Sequence, residues 1–282
     1  MKFPIGAILE SFCMPTDDAV RRTAELGAQG IQMYCTKGEH APENFSSEER
    51  RRLLKLVKSE GLVFSALCGD LGKGFGNKEE NPTLIARSKK IMEIAADLET
   101  EIVTTHIGVV PADPNHERYA IMQEACFELA EYADSLGFHF AVETGPEPAA
   151  VLKGFLDSLN SRGVAVNLDP ANLVMVTQDD PVQAVYTLKD YIVHTHAKDG
   201  VCLKNSSPEE IYRVMHPVIP DPNKMPAYRE LPLGKGNVPY DRYLAALWDI
   251  GYRGYLTIER KVGKKPSADI AMAVDFLKSH MD

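Results

Sequence analysis

Short apolar runs alternate with longer amphipathic stretches along this chain. The first run is 3–9 (FPIGAIL), and a helical stretch follows that opens at Thr16-Asp17-Asp18 and closes at Leu26-Gly27. GIQMY at 30–34 reads as a strand. The helix after it opens on the capping signal Ser46-Ser47-Glu48-Glu49 and stops at Glu60-Gly61. LVFSAL at 62–67 is the third strand, and a helix over 82–98 has proline at its start. The same rhythm predicts strands at 101–108, 138–145, 163–169, 191–199 and 254–260. Helices are predicted at 116–136, 148–160, 181–188, 239–250 and 267–280.

Eight strand–helix pairs result. Near-continuous Val/Ile/Leu runs separated by helices imply parallel strands buried on both faces. Eight such units with no break in composition predict a closed (β/α)8 TIM barrel, a single domain over residues 1–282. The rival is an open doubly wound sheet, which places a glycine-rich turn after its first strand. Here that strand runs into Glu10-Ser11-Phe12, with no GxGxxG. One connection breaks the rhythm. The stretch 200–238 carries Pro208, Pro217, Pro220, Pro222, Pro226 and Pro232 and ends in LGKGN. In a barrel it is a long loop on the C-terminal rim, over the active site.

Composition narrows the function classes. The chain has 282 residues, 44% hydrophobic and 25% charged, enough for a large core without a covalent staple. A net charge of −9 disfavours nucleic acid as a partner. Five widely spaced cysteines (Cys13, Cys35, Cys68, Cys126, Cys202) form no CxxC pair and no disulfide framework. Those at 13, 35 and 68 lie in or near apolar runs and are expected to be buried thiols. Trp248, on the apolar stripe of Tyr243, Leu244 and Leu247, is expected in the core. The opening stretch has too short an apolar run for a signal peptide, and no run of about 18 apolar residues occurs anywhere. A cytoplasmic protein with no membrane partner is the expectation.

The chemistry lies where the apolar runs stop. The fourth ends in Thr105-His106, the fifth in Glu143-Thr144, the sixth in Asp169-Pro170, the seventh in His194-Thr195-His196 and the eighth in Glu259-Arg260. A barrel gathers all these ends on one rim. Ionisable groups beside apolar residues are costly to desolvate unless they are paired or coordinated. Glu143, Asp169, His196 and Glu259 together form an oxygen-rich set with no thiolate. Such a set suits one divalent metal ion, Mn²⁺, Co²⁺, Mg²⁺ or Zn²⁺.

The words AVETG, NLDPAN, HTHAKD and LTIER, in this order, resemble the xylose isomerase-like TIM-barrel superfamily. That group includes ketose 3-epimerases, sugar-phosphate isomerases, inosose dehydratases and nucleases of the endonuclease IV type. The resemblance covers nearly the whole chain. It implies a metal on Glu143, Asp169, His196 and Glu259, with the two glutamates also serving as the acid/base pair on opposite faces of a substrate carbon. The implied activity is isomerisation or epimerisation of a keto sugar or related polyol through a metal-stabilised enediolate. A lyase or dehydratase acting on a keto-inositol or 3-keto-glycoside would use the same site, and a non-catalytic sugar-binding barrel is the third alternative. A homodimer or homotetramer is common in the group.

Departures from the family pattern matter. The epimerases and endonucleases carry a histidine three positions after the aspartate, where this chain has Asn172. With no Asp-x-His after the seventh strand, that argues against a nuclease. His106, Asn172, Lys198, Glu147 and Arg229 are the expected substrate contacts. His194 is expected to be a buried structural histidine, and Asp199 to position a loop. Gly234-Lys235-Gly236 lacks the spacing of a phosphate loop and reads as close backbone packing.

Overall fold

The computed structural model describes residues 1–212, 225–260 and 265–281. Eight parallel strands close into a barrel in the order β1-β10-β7-β6-β5-β4-β3-β2. They are β1 (Ile5–Ile8), β2 (Gly30–Tyr34), β3 (Val63–Cys68), β4 (Ile102–Thr105), β5 (His139–Glu143), β6 (Val164–Leu168), β7 (Ile192–Ala197) and β10 (Leu256–Ile258). Each predicted strand is present: β2 keeps its predicted bounds, β3 is displaced by one residue, and the other six are shorter at their ends. The outer helices are α1 (Thr16–Glu25), α2 (Ser47–Ser59), α3 (Asn81–Asp97), α4 (Glu117–Leu136), α5 (Ala149–Leu159), α7 (Pro181–Thr187), α9 (Tyr240–Asp249) and α10 (Pro266–Met281).

Local chemistry explains the helix ends. Ser46 Oγ accepts from the Glu49 N–H at 3.2 Å, the N-cap that its sequence announces. Gly137 closes α4 at φ 71°, a conformation glycine adopts without strain. The core between strands and helices is a continuous apolar layer that includes Ile31, Val103, Phe140, Phe155 and Leu247.

Three features depart from the simple alternation. A short helix, α6 (Pro170–Asn172), runs into a π-turn, Leu173–Thr177, directly after β6. Within 200–238, strands β8 (Asp199–Cys202) and β9 (Tyr228–Leu231) pair antiparallel, and a one-turn helix, α8 (Pro208–Ile211), lies between them. The proline-rich connection is thus built on a hairpin; its Pro217, Pro220 and Pro222 lie outside the described residues.

Two sequence expectations need correction. Trp248 is 37% exposed, with its ring edge-on to Phe3 and the Arg253 guanidinium 3.6 Å above it. It covers the edge of the core rather than filling it, because its indole lies at the end of the apolar stripe. Cys13 is exposed, since the chain turns outward at φ 53° there, whereas Cys35 and Cys68 are buried.

Candidate active site

Four segments far apart in sequence supply the candidate ligands. Glu143 ends β5, Asp169 follows β6, His196 lies in β7 and Glu259 follows β10. Parallel register brings them level, with Glu143 opposite Asn167 and His196 opposite Thr257. One donor atom from each of the four lies within 4.8 Å of the others, and all four residues are buried.

The two oxygens of Asp169 have different duties. Oδ1 caps α6, accepting from the N–H groups of Ala171 (2.8 Å) and Asn172 (3.0 Å). Oδ2 is buried and accepts no hydrogen bond among the described residues. It faces His196 Nδ1 at 3.6 Å and Lys198 Nζ at 3.5 Å. Burying a carboxylate oxygen without a donor is costly, so its geometry suits a cation. Thr144 holds the segment in place, its Oγ1 accepting from the Asp169 N–H at 2.8 Å.

His196 presents Nδ1 to all three carboxylates, at 3.7 Å from Glu143, 3.6 Å from Asp169 and 3.5 Å from Glu259. Its Nε2 lies 3.2 Å from Gln32 Oε1, which also meets His194 Nε2 at 3.0 Å. Gln32 Nε2 in turn donates to Thr104 Oγ1, so its carboxamide oxygen is the face turned to both rings. A ring that gives Nε2–H to an amide oxygen leaves the Nδ1 lone pair for a metal. Burial alone would lower the His196 pKa, but the Glu143 charge and the Asp169 and Glu143 contacts outweigh it and lift it to about 10. A proton can therefore stand in the place of a cation's charge. His194 is buried and pushed down to about 3 by desolvation and by its neighbour His196, so it stays neutral.

The two glutamates sit in different surroundings. Glu143 Oε1 accepts from Asn172 Nδ2 at 2.8 Å, and His106 Nε2 lies 3.6 Å from the same oxygen. Glu259 Oε2 accepts from Lys198 Nζ at 2.8 Å, and Lys198 also reaches Asn172 Oδ1 at 3.3 Å. A neutral amide thus donates to one glutamate and an ammonium to the other. Gly145 makes room at this point. Its φ is +129°, and an added Cβ would collide with the Asn172 Cβ and come within 3.0 Å of the Tyr212 hydroxyl.

The remaining expected contacts divide. Glu147 is fully buried, with Oε2 accepting from the Val110 N–H at 3.0 Å. Burial pushes its carboxyl up to about 8, against the lowering effect of Val110 and His106. Arg229 projects from β9 into solvent, opposite Val201 of β8, and is not brought to the carboxylates. Its neighbour Glu230 instead pairs with Arg260 at 2.6 Å.

Three further residues near the site are not among those the sequence singled out. Gln32 is a lone polar residue inside an apolar strand. Asp70 lies just beyond the third apolar run and binds His106 Nδ1 at 3.1 Å through Oδ2. The strand-end rule that selected the other carboxylates extends to it. Tyr212 arrives from the rim connection, its ring centroid 5.5 Å from that of His106. Burial and the charges of Glu143 and Asp169 raise its pKa well above the ordinary value, so the hydroxyl stays protonated. No local pattern points to it.

Convergent buried oxygens, one imidazole nitrogen and the unsatisfied Asp169 Oδ2 fit a divalent metal ion held by Glu143, Asp169, His196 and Glu259. The family profile of the xylose isomerase-like TIM barrel matches residues 20–280, and the chain belongs to that family. It is 22% identical over 249 residues to L-ribulose-5-phosphate 3-epimerase UlaE of Escherichia coli, covering 84% of this chain and 79% of that protein. The fold is shared with a xylose isomerase domain protein from Planctomyces limnophilus, at a TM-score of 0.78 and 24% identity, covering 99% of this chain and 96% of that one. It is shared too with the probable 3-DHS dehydratase AsbF of Bacillus anthracis, at 0.73 and 17% identity, covering 98% and 99%.

Proposed function

We propose that this protein is a metal-dependent isomerase or epimerase of a keto sugar or related polyol, with Glu143 and Glu259 as its proton-transfer groups. The convergence of the four donor atoms around the unsatisfied Asp169 Oδ2 carries this reading. The named activity of the E. coli relative, a 3-epimerase of a ketose phosphate, agrees with it. A divalent cation, when bound, supplies electrostatic stabilisation for negative charge developing on substrate oxygens. The chain's own residues do the rest. Glu143, held by Asn172, removes a proton from a carbon beside the carbonyl. Glu259, with Lys198 against it, returns a proton from another direction. His106, Asn172, Lys198 and Glu147 orient the hydroxyls, and Tyr212 restricts water.

Lys198 favours one second reading. An ammonium 2.8 Å from Glu259 adds a proton-bearing group where a leaving hydroxyl would depart, which suits a dehydratase or other lyase. Product mass separates the two, since it is unchanged for an isomerase and reduced for a lyase. The test of the leading reading is a sugar screen in deuterated water with Mn²⁺ or Co²⁺. We expect deuterium to enter a substrate carbon, and Glu143→Gln to slow entry by about 10²- to 10⁴-fold. Turnover without any wash-in points to hydride shift and overturns the proton-transfer assignment. Binding of sugar with no turnover in any metal points to a binding barrel.

A further inference from the structure

Asp70 lies beyond β3, outside the four-residue cluster, and both of its oxygens are engaged. Oδ1 accepts from the Gly72 N–H at 2.8 Å, closing a tight turn on itself. Oδ2 meets His106 Nδ1 at 3.1 Å. The other ring nitrogen, Nε2, faces Glu143 Oε1 at 3.6 Å, and the Tyr212 ring packs against the imidazole. An ionised carboxylate is an acceptor only. Nδ1 must therefore carry the hydrogen in this pair, and in the neutral ring Nε2 is then an acceptor.

We propose that Asp70 is a positioning residue that locks His106 in the Nδ1–H tautomer, so that Nε2 receives a substrate hydroxyl beside Glu143. This rests on the reading of Glu143 as a proton-transfer group. It assigns the Glu143 side of the cavity a specificity for a hydroxyl donor next to the reacting carbon, since a carboxylate oxygen and an imidazole lone pair there both seek hydrogens. A ketone oxygen or an ether at that place would receive no hydrogen from either of these two groups.

The Gly72 contact makes the claim sharp. In Asp70→Asn the amide oxygen keeps the Gly72 N–H, which turns the NH2 group toward His106 Nδ1. That nitrogen must then accept, and the ring switches to Nε2–H, a donor aimed at Glu143. Exchanging Asp for Asn behind a working histidine inverts its tautomer in the same way in serine proteases.

The test is a two-bond ¹H–¹⁵N correlation spectrum of the full-length protein labelled on histidine nitrogen, at pH 8, with His106→Ala to assign the ring. We expect Nδ1–H in the wild type, Nε2–H in Asp70→Asn and a mixture in Asp70→Ala, which offers neither donor nor acceptor. The Ala variant also keeps the claim open to test should the Asn variant fail to fold. With a turned-over sugar in hand, Asp70→Asn should lower kcat by about 10- to 100-fold, the usual scale for a residue acting through another, with KM changed less. An Nε2–H ring or an imidazolium in the wild type overturns the proposal, as does an unchanged tautomer in Asp70→Asn. The spectrum is read without substrate, so a failure of the isomerase reading and a failure of this one are separable.

Discussion

At the scale of single residues, the candidate site is defined by which atoms have a hydrogen-bond partner. Asp169 spends one oxygen on a helix N-terminus and turns the other into the cluster, so one side chain both builds α6 and faces the cation position. Glu147 is the opposite case, a buried carboxyl with one N–H on Oε2 and no hydrogen-bond partner for Oε1 among the described residues. Its pKa of about 8 makes a pH prediction. The unfolded chain loses this proton near the ordinary value of 4.5, whereas the folded one keeps it to about 8. Folding thus binds the extra proton, and stability falls as pH rises through that window, by at most about 1.4 kcal/mol per pH unit. His194 acts in the reverse sense, because its folded pKa is low and stability is lost as pH falls below 6.5. His196, lifted to about 10, and Glu10, raised to about 7 by burial, tilt the curve in the same sense as Glu147, so between 6.5 and 8 the Glu147 effect is read as the difference in slope between wild type and the Gln variant. In urea titrations across that interval, Glu147→Gln should flatten the wild-type slope and be the more stable protein at pH 8. An unchanged slope would refute the burial account.

At the scale of elements, the rim hairpin depends on one carboxylate. Asp199 Oδ1 accepts from the N–H groups of Gly200 at 2.9 Å and Val238 at 3.1 Å. Its Oδ2 accepts from Gly234 at 3.0 Å and Gly236 at 2.8 Å. The backbone donors of Gly234 and Gly236 are thus already engaged, and the GKG turn has none of them left for a phosphate. Gly236 is required because an added Cβ would run into the Asp199 carboxylate. Asp199→Ala should cost about 2 kcal/mol or more, the scale of a hydrogen-bonded charge removed from orphaned donors. Hydrogen exchange should accelerate over 228–238 while the amides of β4 to β6 keep wild-type rates. Uniform acceleration would mean that Asp199 supports the whole barrel instead.

At the scale of the molecule, the closed barrel turns eight separate strand ends into one ring. Three buried carboxylates share that ring, with Lys198 and His196 to offset them. Binding of a divalent ion to the folded state alone raises stability by about 2.7 kcal/mol at one hundred times its dissociation constant. Mn²⁺ or Co²⁺ should therefore raise the melting temperature by several degrees, EDTA should reverse the rise, and Asp169→Asn should abolish it. A rise that survives in Asp169→Asn would place the ion elsewhere. No described helix is long and apolar enough to cross a membrane.

The sequence by itself determined the alternation of strands and helices and the barrel that follows. Its signals are local: periodicity, caps such as Ser46 and Gly137, and strands too apolar to face water. It also singled out Glu143, Asp169, His196 and Glu259, because a charge at the end of a buried strand is conspicuous in one dimension. Only the tertiary structure decided what depends on contacts between distant segments. Gln32 is an odd residue in β2 until His194 and His196 arrive from more than 160 positions away. Asp70 becomes meaningful only beside His106, and Tyr212 only when the rim connection folds back over Gly145. Arg229 shows the limit most plainly. Its charge and place in the loop suggested the cavity, but strand alternation in the β8–β9 hairpin turns Glu230 inward to Arg260 and Arg229 outward. The direction of a side chain on a hairpin depends on register, and register is set by the pairing partner.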